Sequence, residues 1–160
     1  MQEFEAVYQQ YFSRVYRFLL GLSGNAHIAD ELTQETFLRA LVAIGTYREQ
    51  GNMLTWLCTI AKNLWLNECR KSKFEAALDA DLPDPSPTPE EGFIEKDRRR
   101  ALRNAVMELP EDYRAVVLLH IYAQIPLREI AAQKGKSESW GKVTFYRAKQ
   151  LLNHRLEGYR

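Results

Sequence analysis

The sequence lacks any uninterrupted apolar run near the roughly 20 residues that a membrane-spanning helix needs. Its first residues, Met1 to Glu5, are acidic, whereas a secretory leader begins with basic residues. Only two cysteines are present, Cys58 and Cys69, and neither has the paired spacing and histidine partners of a zinc site. We therefore expect a cytoplasmic protein with two free thiols and with no disulfide, metal or cofactor.

Catalytic motifs are also missing. The three histidines, His27, His120 and His154, lie far apart without partnered nucleophile motifs, and no glycine-rich loop could cradle a phosphate. A helical hydrolase is therefore disfavoured, and we expect neither enzymatic activity nor a small-molecule substrate. Strand-like alternation is absent and apolar residues recur at three- and four-residue steps, which predicts an all-α fold.

The near-neutral total charge conceals three segments of different sign. Residues 1–73 carry 8 basic and 7 acidic side chains, residues 74–97 carry 1 and 8, and residues 98–160 carry 13 and 6. The net charges are therefore +1, −7 and +7. A polycationic C-terminal segment is typical of nucleic-acid binding.

The acidic middle segment contains four prolines between Leu82 and Pro89, and proline within a helix removes a hydrogen bond and clashes with the preceding turn. Its negative charge also opposes collapse into a core. We predict two small helical domains, residues 1–73 and 95–160, joined by a flexible acidic linker at residues 74–94.

The N-terminal domain is predicted to hold helices at Gln2–Gly21, Ala26–Ile44 and Met53–Lys73. One face of the second helix carries residues at helical spacing, namely Glu31, Gln34, Glu35 and Leu38. This acidic face is compatible with a docking surface and with an ordinary solvated surface.

The third helix combines amides, cations and indoles. Asn63, Asn67 and Arg70 follow one another at helical spacing, with Lys62 beside them. Asn side chains can read base edges, cations hold phosphates and aromatic rings stack on unpaired bases. Trp56 and Trp65 are interleaved, but packing in the core explains Trp56 better and leaves Trp65 open between the two roles.

The C-terminal domain has the pattern of a helix-turn-helix. Leu109-Pro110 precedes a helix running to about Tyr122, a short helix follows at Leu127–Lys134, and Ser137 can cap a longer helix from Glu138 to about Arg155. Phe145, Ala148, Leu151 and Leu152 are predicted to pack inward. The opposite side offers cations and a phenol to duplex DNA, namely Lys142, Tyr146, Arg147 and Lys149.

Ordered motifs run through nearly the whole chain: Tyr11-Phe12 through Phe18, Ala29 to Ala40, Thr55 to Leu57 with Ile60 to Asn63, and Leu109 to Leu152 with Arg128 to Ala131 and Tyr146 to Lys149. They resemble the second and fourth conserved regions of the sigma-70 family of bacterial RNA polymerase subunits. Nothing similar to the first or third region is present, which is typical of the extracytoplasmic-function (ECF) group.

The resemblance implies an alternative sigma factor that binds core RNA polymerase, recognises minus-ten and minus-thirty-five promoter elements and promotes promoter opening. The face bearing Glu31, Gln34, Glu35 and Leu38 would dock on the polymerase clamp helices. Asn63 and Asn67 would contact flipped-out minus-ten bases, with Asn52 and Met53 of the Gly51–Leu54 loop forming the pocket wall and Lys62 and Arg70 holding phosphates.

For the minus-thirty-five element, the resemblance implies contacts from one helix: Ser139, Trp140, Lys142, Val143, Tyr146, Arg147 and Lys149. Trp140 and Gly141 depart from the family pattern, so a different sequence preference or entry angle is expected there. An anti-sigma factor, which could hold the protein at the inner face of the membrane, is a further expected partner. The alternative function is a stand-alone helix-turn-helix regulator.

Overall fold

The computed structural model describes residues 2–47, 52–78 and 89–157, and no strand occurs among them. The all-α prediction is therefore confirmed for these residues. The helices are α1 (Gln2–Ser23), α2 (Ala26–Ala43), α3 (Met53–Leu78), α4 (Pro89–Met107), α5 (Glu111–Val117), α6 (Leu127–Gln133) and α7 (Glu138–Arg155). A short 3₁₀ turn, Ile44–Thr46, follows α2, and a π-helical segment, Leu118–Tyr122, continues α5.

Helices α1, α2 and α3 form an N-terminal unit around a shared apolar core. Val15, Phe18 and Leu19 lie one helical turn apart on α1 and are fully or almost fully buried. They pack in one cluster with Phe37 of α2 and Leu57 of α3. The core stripe of each helix thereby fixes which face remains outside.

The turn between α1 and α2 depends on two local features. Gly24 has a φ of +64°, a left-handed conformation that glycine adopts without steric cost. Asn25 then caps α2, because its side-chain oxygen accepts a hydrogen bond from the Ile28 backbone N–H at 3.0 Å. The predicted boundaries of α2 are correct to within one residue.

Helices α4 to α7 form a C-terminal unit that contains the predicted helix-turn-helix. The turn after α6 uses Gly135, whose φ is +70°. Ile130 of α6 and Ala148 of α7 are completely buried, so the two helices cross over a common core. Phe145, Leu151 and Leu152 pack partly buried against it, in agreement with the inward side predicted for this helix.

Helix occupies both ends of the predicted 74–94 linker, while residues 79–88 lie outside the described residues. Helix α3 continues to Leu78, five residues past the predicted end, because no proline or glycine interrupts residues 74–78. Helix α4 begins at Pro89, since proline is well tolerated in the first turn, where its missing N–H needs no partner.

The two units pack directly on each other, which the tethered architecture did not predict. One cluster of buried residues runs through both, from Trp65 and Leu66 of α3 to Val106 of α4 and Leu118 beyond α5. Gly21 at the end of α1 faces Tyr122, and a Cβ placed on it would lie 3.6 Å from the Tyr122 Cδ1 atom. Within the described ranges, no helix combines the length and apolar character needed to cross a membrane.

Candidate nucleic-acid interface

The predicted docking face lies on the outer side of α2. Ala29, Thr33, Thr36, Phe37 and Ala40 are buried on the inner side, and both threonine hydroxyls donate to backbone carbonyls one turn earlier at 2.6 and 2.7 Å. This inner stripe leaves the other side of the helix to solvent. The docking face is therefore available on the surface: Glu31, Gln34 and Leu38 are exposed and Glu35 is half-buried.

The docking face is acidic toward the start of α2 and apolar toward its end. Glu31 lies 3.0 Å from His27, and Glu35 lies 3.0 Å from the Arg39 guanidinium, each one turn along the helix. Leu38 is 60% exposed and Val42 is 88% exposed, while Leu41 is also exposed. The sequence interpretation missed Leu41 and Val42, although their spacing of three and four residues from Leu38 places them on the same surface.

At the start of α3, the predicted pocket wall is only partly visible. Gly51 lies outside the described residues. The Asn52 side-chain oxygen accepts a hydrogen bond from the Leu54 N–H at 2.8 Å, and Met53 packs half-buried against the core. Trp56 is half-buried with its ring centroid 5.4 Å from that of Tyr47. The packing role predicted for Trp56 is therefore supported. Asn52 stabilises the start of α3 through its hydrogen bond.

Farther along α3, Asn63, Asn67 and Arg70 are exposed on one side of the helix. The Arg70 guanidinium donates a hydrogen bond to the Asn67 side-chain oxygen at 3.1 Å. We name these three residues, together with Lys62, the strand-binding face. Trp65 is buried, with the Arg103 guanidinium 5.6 Å from its ring centroid, so the structure places this tryptophan in the core between the units.

Lys62 occupies a different environment from the other members of the strand-binding face. It is 7% exposed because the C-terminal unit covers it. The pKa of Lys62 is lowered from 10.5 to about 8, chiefly by burial and also by the nearby charges of Lys134 and Arg114, against the opposing effect of Glu111 and Asp112. The predicted contact of Lys62 with DNA stays a prediction that requires the units to separate.

A polar cavity of about 240 Å³ separates the strand-binding face from the start of α5. It is lined by Lys62, Asn63, Asn67, Arg70, Glu111 and Arg114. Arg114 also donates hydrogen bonds to the carbonyls of Met107 and Leu109 at 3.0 and 3.3 Å, which ties the end of α4 to α5. The cavity therefore lies between amides and cations of the N-terminal unit and charged side chains of the C-terminal unit.

Helix α7 presents the predicted duplex-reading face. Ser137 caps it, because the hydroxyl oxygen accepts a hydrogen bond from the Trp140 N–H at 3.1 Å. The outer side carries a set of exposed residues, which together we name the reading face: Lys142, Val143, Tyr146, Arg147 and Lys149. Lys149 lies over the Phe145 ring with its Nζ 5.1 Å from the centroid. This exposed cationic side of α7 is the one predicted to enter a major groove.

Ser139 is exposed and Trp140 half-buried at the start of α7. They line an open groove of about 340 Å³ with Asp112, Tyr113, Val143 and Arg147. Trp140 therefore borders the reading face, where an indole can contact the apolar methyl group of thymine. Its contact with a promoter base stays a prediction.

Gly141 is buried where α7 crosses α6. A Cβ on it would lie 3.0 Å from the Leu127 carbonyl oxygen and 3.4 Å from the Ala131 Cβ. Alanine at this position would therefore require α7 or the Leu127 backbone to shift by a few tenths of an ångström. Sequence spacing could not reveal this crossing contact.

The described residues contain no cluster of three or more metal-ligating side chains. Both cysteines are free, Cys58 buried and Cys69 half-buried. Burial raises the pKa of the Cys58 thiol to about 12 and that of Cys69 to about 11, so both are protonated and unreactive at neutral pH.

Two family models match this chain: sigma-70 region 2 over residues 7–75 and sigma-70 region 4 over residues 99–152. The ECF RNA polymerase sigma factor SigM of Bacillus subtilis is 30% identical over 150 residues, covering 92% of this chain and 91% of SigM. The ECF sigma factor BldN of Streptomyces coelicolor is 34% identical over 154 residues, but the match covers only 58% of BldN.

A solved structure has the same fold. It is the sigma factor RpoE of Bartonella quintana in complex with the anti-sigma factor NepR, with a TM-score of 0.58 and 20% identity over the full length of both chains. At this identity the likeness concerns the fold alone.

Proposed function

The chain belongs to the ECF sigma factors of the sigma-70 family, and from this premise we propose that its two units divide promoter recognition between them. As an alternative sigma factor it directs core RNA polymerase to promoters. In the proposal, α2 docks on the polymerase, α3 captures unpaired minus-ten bases, and α7 reads the minus-thirty-five duplex. The polymerase supplies the chemistry, and the compartment is the cytoplasm in which transcription occurs.

The observation that carries the proposal is the separation of three chemically different surfaces on three helices. The docking face is acidic and apolar, which fits a basic partner surface. The strand-binding face combines two amides with cations, which fits unpaired bases and phosphates. The reading face places exposed cations around Val143 and Tyr146, which fits a duplex groove.

Two weak contacts on one chain strengthen each other. Once α7 binds its element, the minus-ten element is held at a high local concentration near α3, and the distance between the units selects promoters of matching spacing. Unstacking a base costs a few kcal/mol, which capture of the extruded base can offset. The proposal therefore needs neither a cofactor nor a metal.

Run-off transcription with purified core polymerase tests the function, and two alanine variants test the division. Asn63→Ala should reduce promoter opening while leaving upstream duplex binding nearly unchanged, because the amide contacts only unpaired bases. Lys142→Ala should weaken upstream binding about five- to tenfold, since one phosphate or base contact contributes on the order of 1 kcal/mol. Footprinting of the closed and open complexes separates these steps.

Arg17→Ala serves as the matched control, because Arg17 is an exposed cation of α1 whose described contact is with the carbonyl of Ser13. It should leave both steps unchanged. Equal impairment of both steps by Asn63→Ala and Lys142→Ala would contradict the division. Tight promoter binding by the chain alone, together with no transcription from active core polymerase, would instead favour a stand-alone regulator.

An anti-sigma partner stays a prediction. Co-purification of a regulatory protein that competes with core polymerase would support it, and the docking-face variant Leu38→Ala should then weaken whichever of the two partners uses that surface.

A further inference from the structure

The polar cavity between α3 and α5 is lined by more positive than negative side chains. Its charged members are Lys62 and Arg70 of α3 and Glu111 and Arg114 of α5. Three cations against one acid give the lining a net charge of +2 when all four groups are ionised. Like charges that share a site destabilise each other unless an opposite charge compensates for them. The lining therefore favours a ligand of negative charge.

The two arginines of the lining donate to neutral acceptors. Arg70 donates to the Asn67 side-chain oxygen, and Arg114 donates to two backbone carbonyls of the C-terminal unit. Each guanidinium carries five N–H donors, so both retain donors that these contacts do not use. The Asn67 oxygen is occupied by Arg70, which leaves the amide N–H groups of Asn67 to donate. The cavity is therefore rich in donors.

Lys62 is the most deeply buried of the three cations, with 7% of its surface exposed. Within the described part of the chain it forms no ion pair, and Asp112, one of the two acids near it, is already paired with Lys134 at 3.2 Å. A buried charge without a partner is unfavourable. With a pKa of about 8, the ammonium is still mostly charged at pH 7. An anion in the cavity would supply the opposite charge that Lys62 lacks.

The size and the opening of the cavity limit its ligand to a small ion. Its volume of about 240 Å³ is below the roughly 300 Å³ at which pockets for drug-sized ligands begin, yet several times the roughly 30 Å³ that one water molecule occupies. Asn63, Asn67 and Arg70 are exposed at its edge. An anion of the size of phosphate can therefore enter while the two units stay packed.

Tetrahedral oxyanions match this set of donors. A guanidinium binds phosphate oxygens through paired N–H groups, and an ammonium binds them as a point charge. A phosphate group carries a charge of about −1.5 to −2 at pH 7, which would balance the net charge of the lining. We infer that the cavity between α3 and α5 is a binding site for a free tetrahedral oxyanion of the phosphate class. Binding at this site is independent of the proposed function.

The site draws its cations from both units of the chain. Lys62 and Arg70 belong to α3, whereas Arg114 belongs to α5. An oxyanion bound by all three therefore links the N-terminal unit to the C-terminal unit. Its binding stabilises the packed arrangement of the free chain, because a ligand that binds only the folded form shifts the unfolding equilibrium toward that form.

A phosphate titration of the free protein, followed by ¹H–¹⁵N NMR, tests the site directly. Inorganic phosphate replaces chloride at a constant ionic strength of about 0.15 M, so that general screening stays the same. We expect the side-chain amide signals of Asn63 and Asn67 to shift along a saturating curve. Arg70→Gln and Lys62→Met should each weaken the fitted affinity at least about tenfold, because each removes a charge-assisted contact.

Arg17→Gln is the matched control for Arg70→Gln, because it removes one exposed arginine of α1 that does not line the cavity. This variant should keep the wild-type affinity. Shifts that grow linearly with phosphate concentration would mean that no discrete site exists. Equal losses of affinity in Arg17→Gln and Arg70→Gln would mean that phosphate responds only to net charge, and either result would overturn the inference.

A short thymidine oligonucleotide without a terminal phosphate distinguishes a free oxyanion from the phosphodiesters of a DNA strand. At equal concentrations of phosphate groups, we expect inorganic phosphate to saturate the Asn63 and Asn67 signals first. Sulfate, a second tetrahedral dianion, should reproduce the phosphate shifts. A saturating response to the oligonucleotide with none to inorganic phosphate would overturn the inference and assign the cations of the cavity to DNA.

Urea unfolding gives a second, independent measurement. Phosphate stabilises folded proteins in general because it is excluded from their surfaces, so the rise of the urea midpoint with phosphate is compared between the wild type and Arg70→Gln. We expect the larger rise in the wild type, since only the wild type gains the additional stability from binding at the site. Equal rises in the two proteins would contradict specific binding to the folded chain.

Discussion

At the scale of a single residue, burial and DNA binding place opposite requirements on the Lys62 ammonium. Its ammonium is buried near two cations and two acids, and a buried charge is unfavourable unless it is fully paired. The same ammonium would gain a phosphate partner once α3 is uncovered. The burial of Lys62 therefore opposes the packing of the two units, and the apolar contacts between the units favour that packing.

Lys62→Met should stabilise the folded chain at pH 7, because methionine keeps the apolar stem and removes the buried charge. We expect the free energy of unfolding to rise by about 1 to 3 kcal/mol, since a tenfold change in a group's proton affinity corresponds to about 1.4 kcal/mol. Urea unfolding monitored by circular dichroism measures this change. The variant should also open promoters more slowly, because it lacks the phosphate contact proposed for Lys62.

The stability difference should depend on pH with a defined sign. The Lys62 pKa is about 8 in the folded chain and 10.5 as an ordinary lysine. Between these values the unfolded chain binds the extra proton, so wild-type stability rises relative to Lys62→Met as pH increases. The extra stability of Lys62→Met over the wild type should thus be fully present below pH 8 and absent above pH 10.5. Destabilisation by Lys62→Met at pH 7 would contradict the explanation.

At the scale of the element, α7 depends on how closely it approaches α6. Gly141 lies at the crossing, where even a methyl group would meet the Leu127 carbonyl at 3.0 Å. Alanine gains about 1 kcal/mol of helix propensity over glycine, but forcing atoms into a packed contact costs about 1 to 3 kcal/mol. The tight contact should outweigh the propensity, because the opposing atom belongs to the backbone.

Gly141→Ala should therefore lower the free energy of unfolding by up to about 2 kcal/mol. It should also weaken binding to the upstream duplex, because α7 must shift relative to α6 to accept the methyl group. Thermal unfolding measures the change in stability. Gel-shift titration of holoenzyme with DNA that carries the upstream duplex element measures the change in binding. Asn153→Ala, at an exposed position of the same helix, raises propensity without a clash and should change neither by much. A more stable Gly141→Ala protein with unchanged binding would disprove the packing argument.

The helix-turn-helix could be predicted from sequence because its determinants are local. Ser137 precedes its helix directly, and the inward positions of Phe145 and Ala148 follow from periodicity. The burial of Lys62 and Trp65 could not be predicted, since it depends on contact with residues that are far away in sequence. The contact of Gly141 could not be predicted either, because it is with the backbone of another helix. The roles assigned to individual residues on DNA stay predictions.

At the scale of the whole molecule, the described residues form one packed body, although the chain contains two recognisable units. The acidic segment and the +7 charge of residues 98–160 predict partners but not this packing. Trp65, Leu66, Val106 and Leu118 belong to a single buried cluster that spans both units. Any separation of the two units would therefore break apolar contacts.

A shared core predicts that the free chain unfolds in one cooperative transition. Tryptophan fluorescence can report each unit separately, because Trp56 and Trp65 lie in α3 and Trp140 lies in α7. Trp140→Phe leaves reporters only in the N-terminal unit, and the double variant Trp56→Phe/Trp65→Phe leaves only the C-terminal reporter. Urea midpoints from the two proteins should coincide with each other and with the loss of helical circular dichroism of the wild type, as two-state unfolding requires.

Circular dichroism of each variant controls for any change in stability caused by substitution. Two midpoints that remain apart after this correction would mean that the units unfold independently and that their packing contributes little to the stability of the free chain.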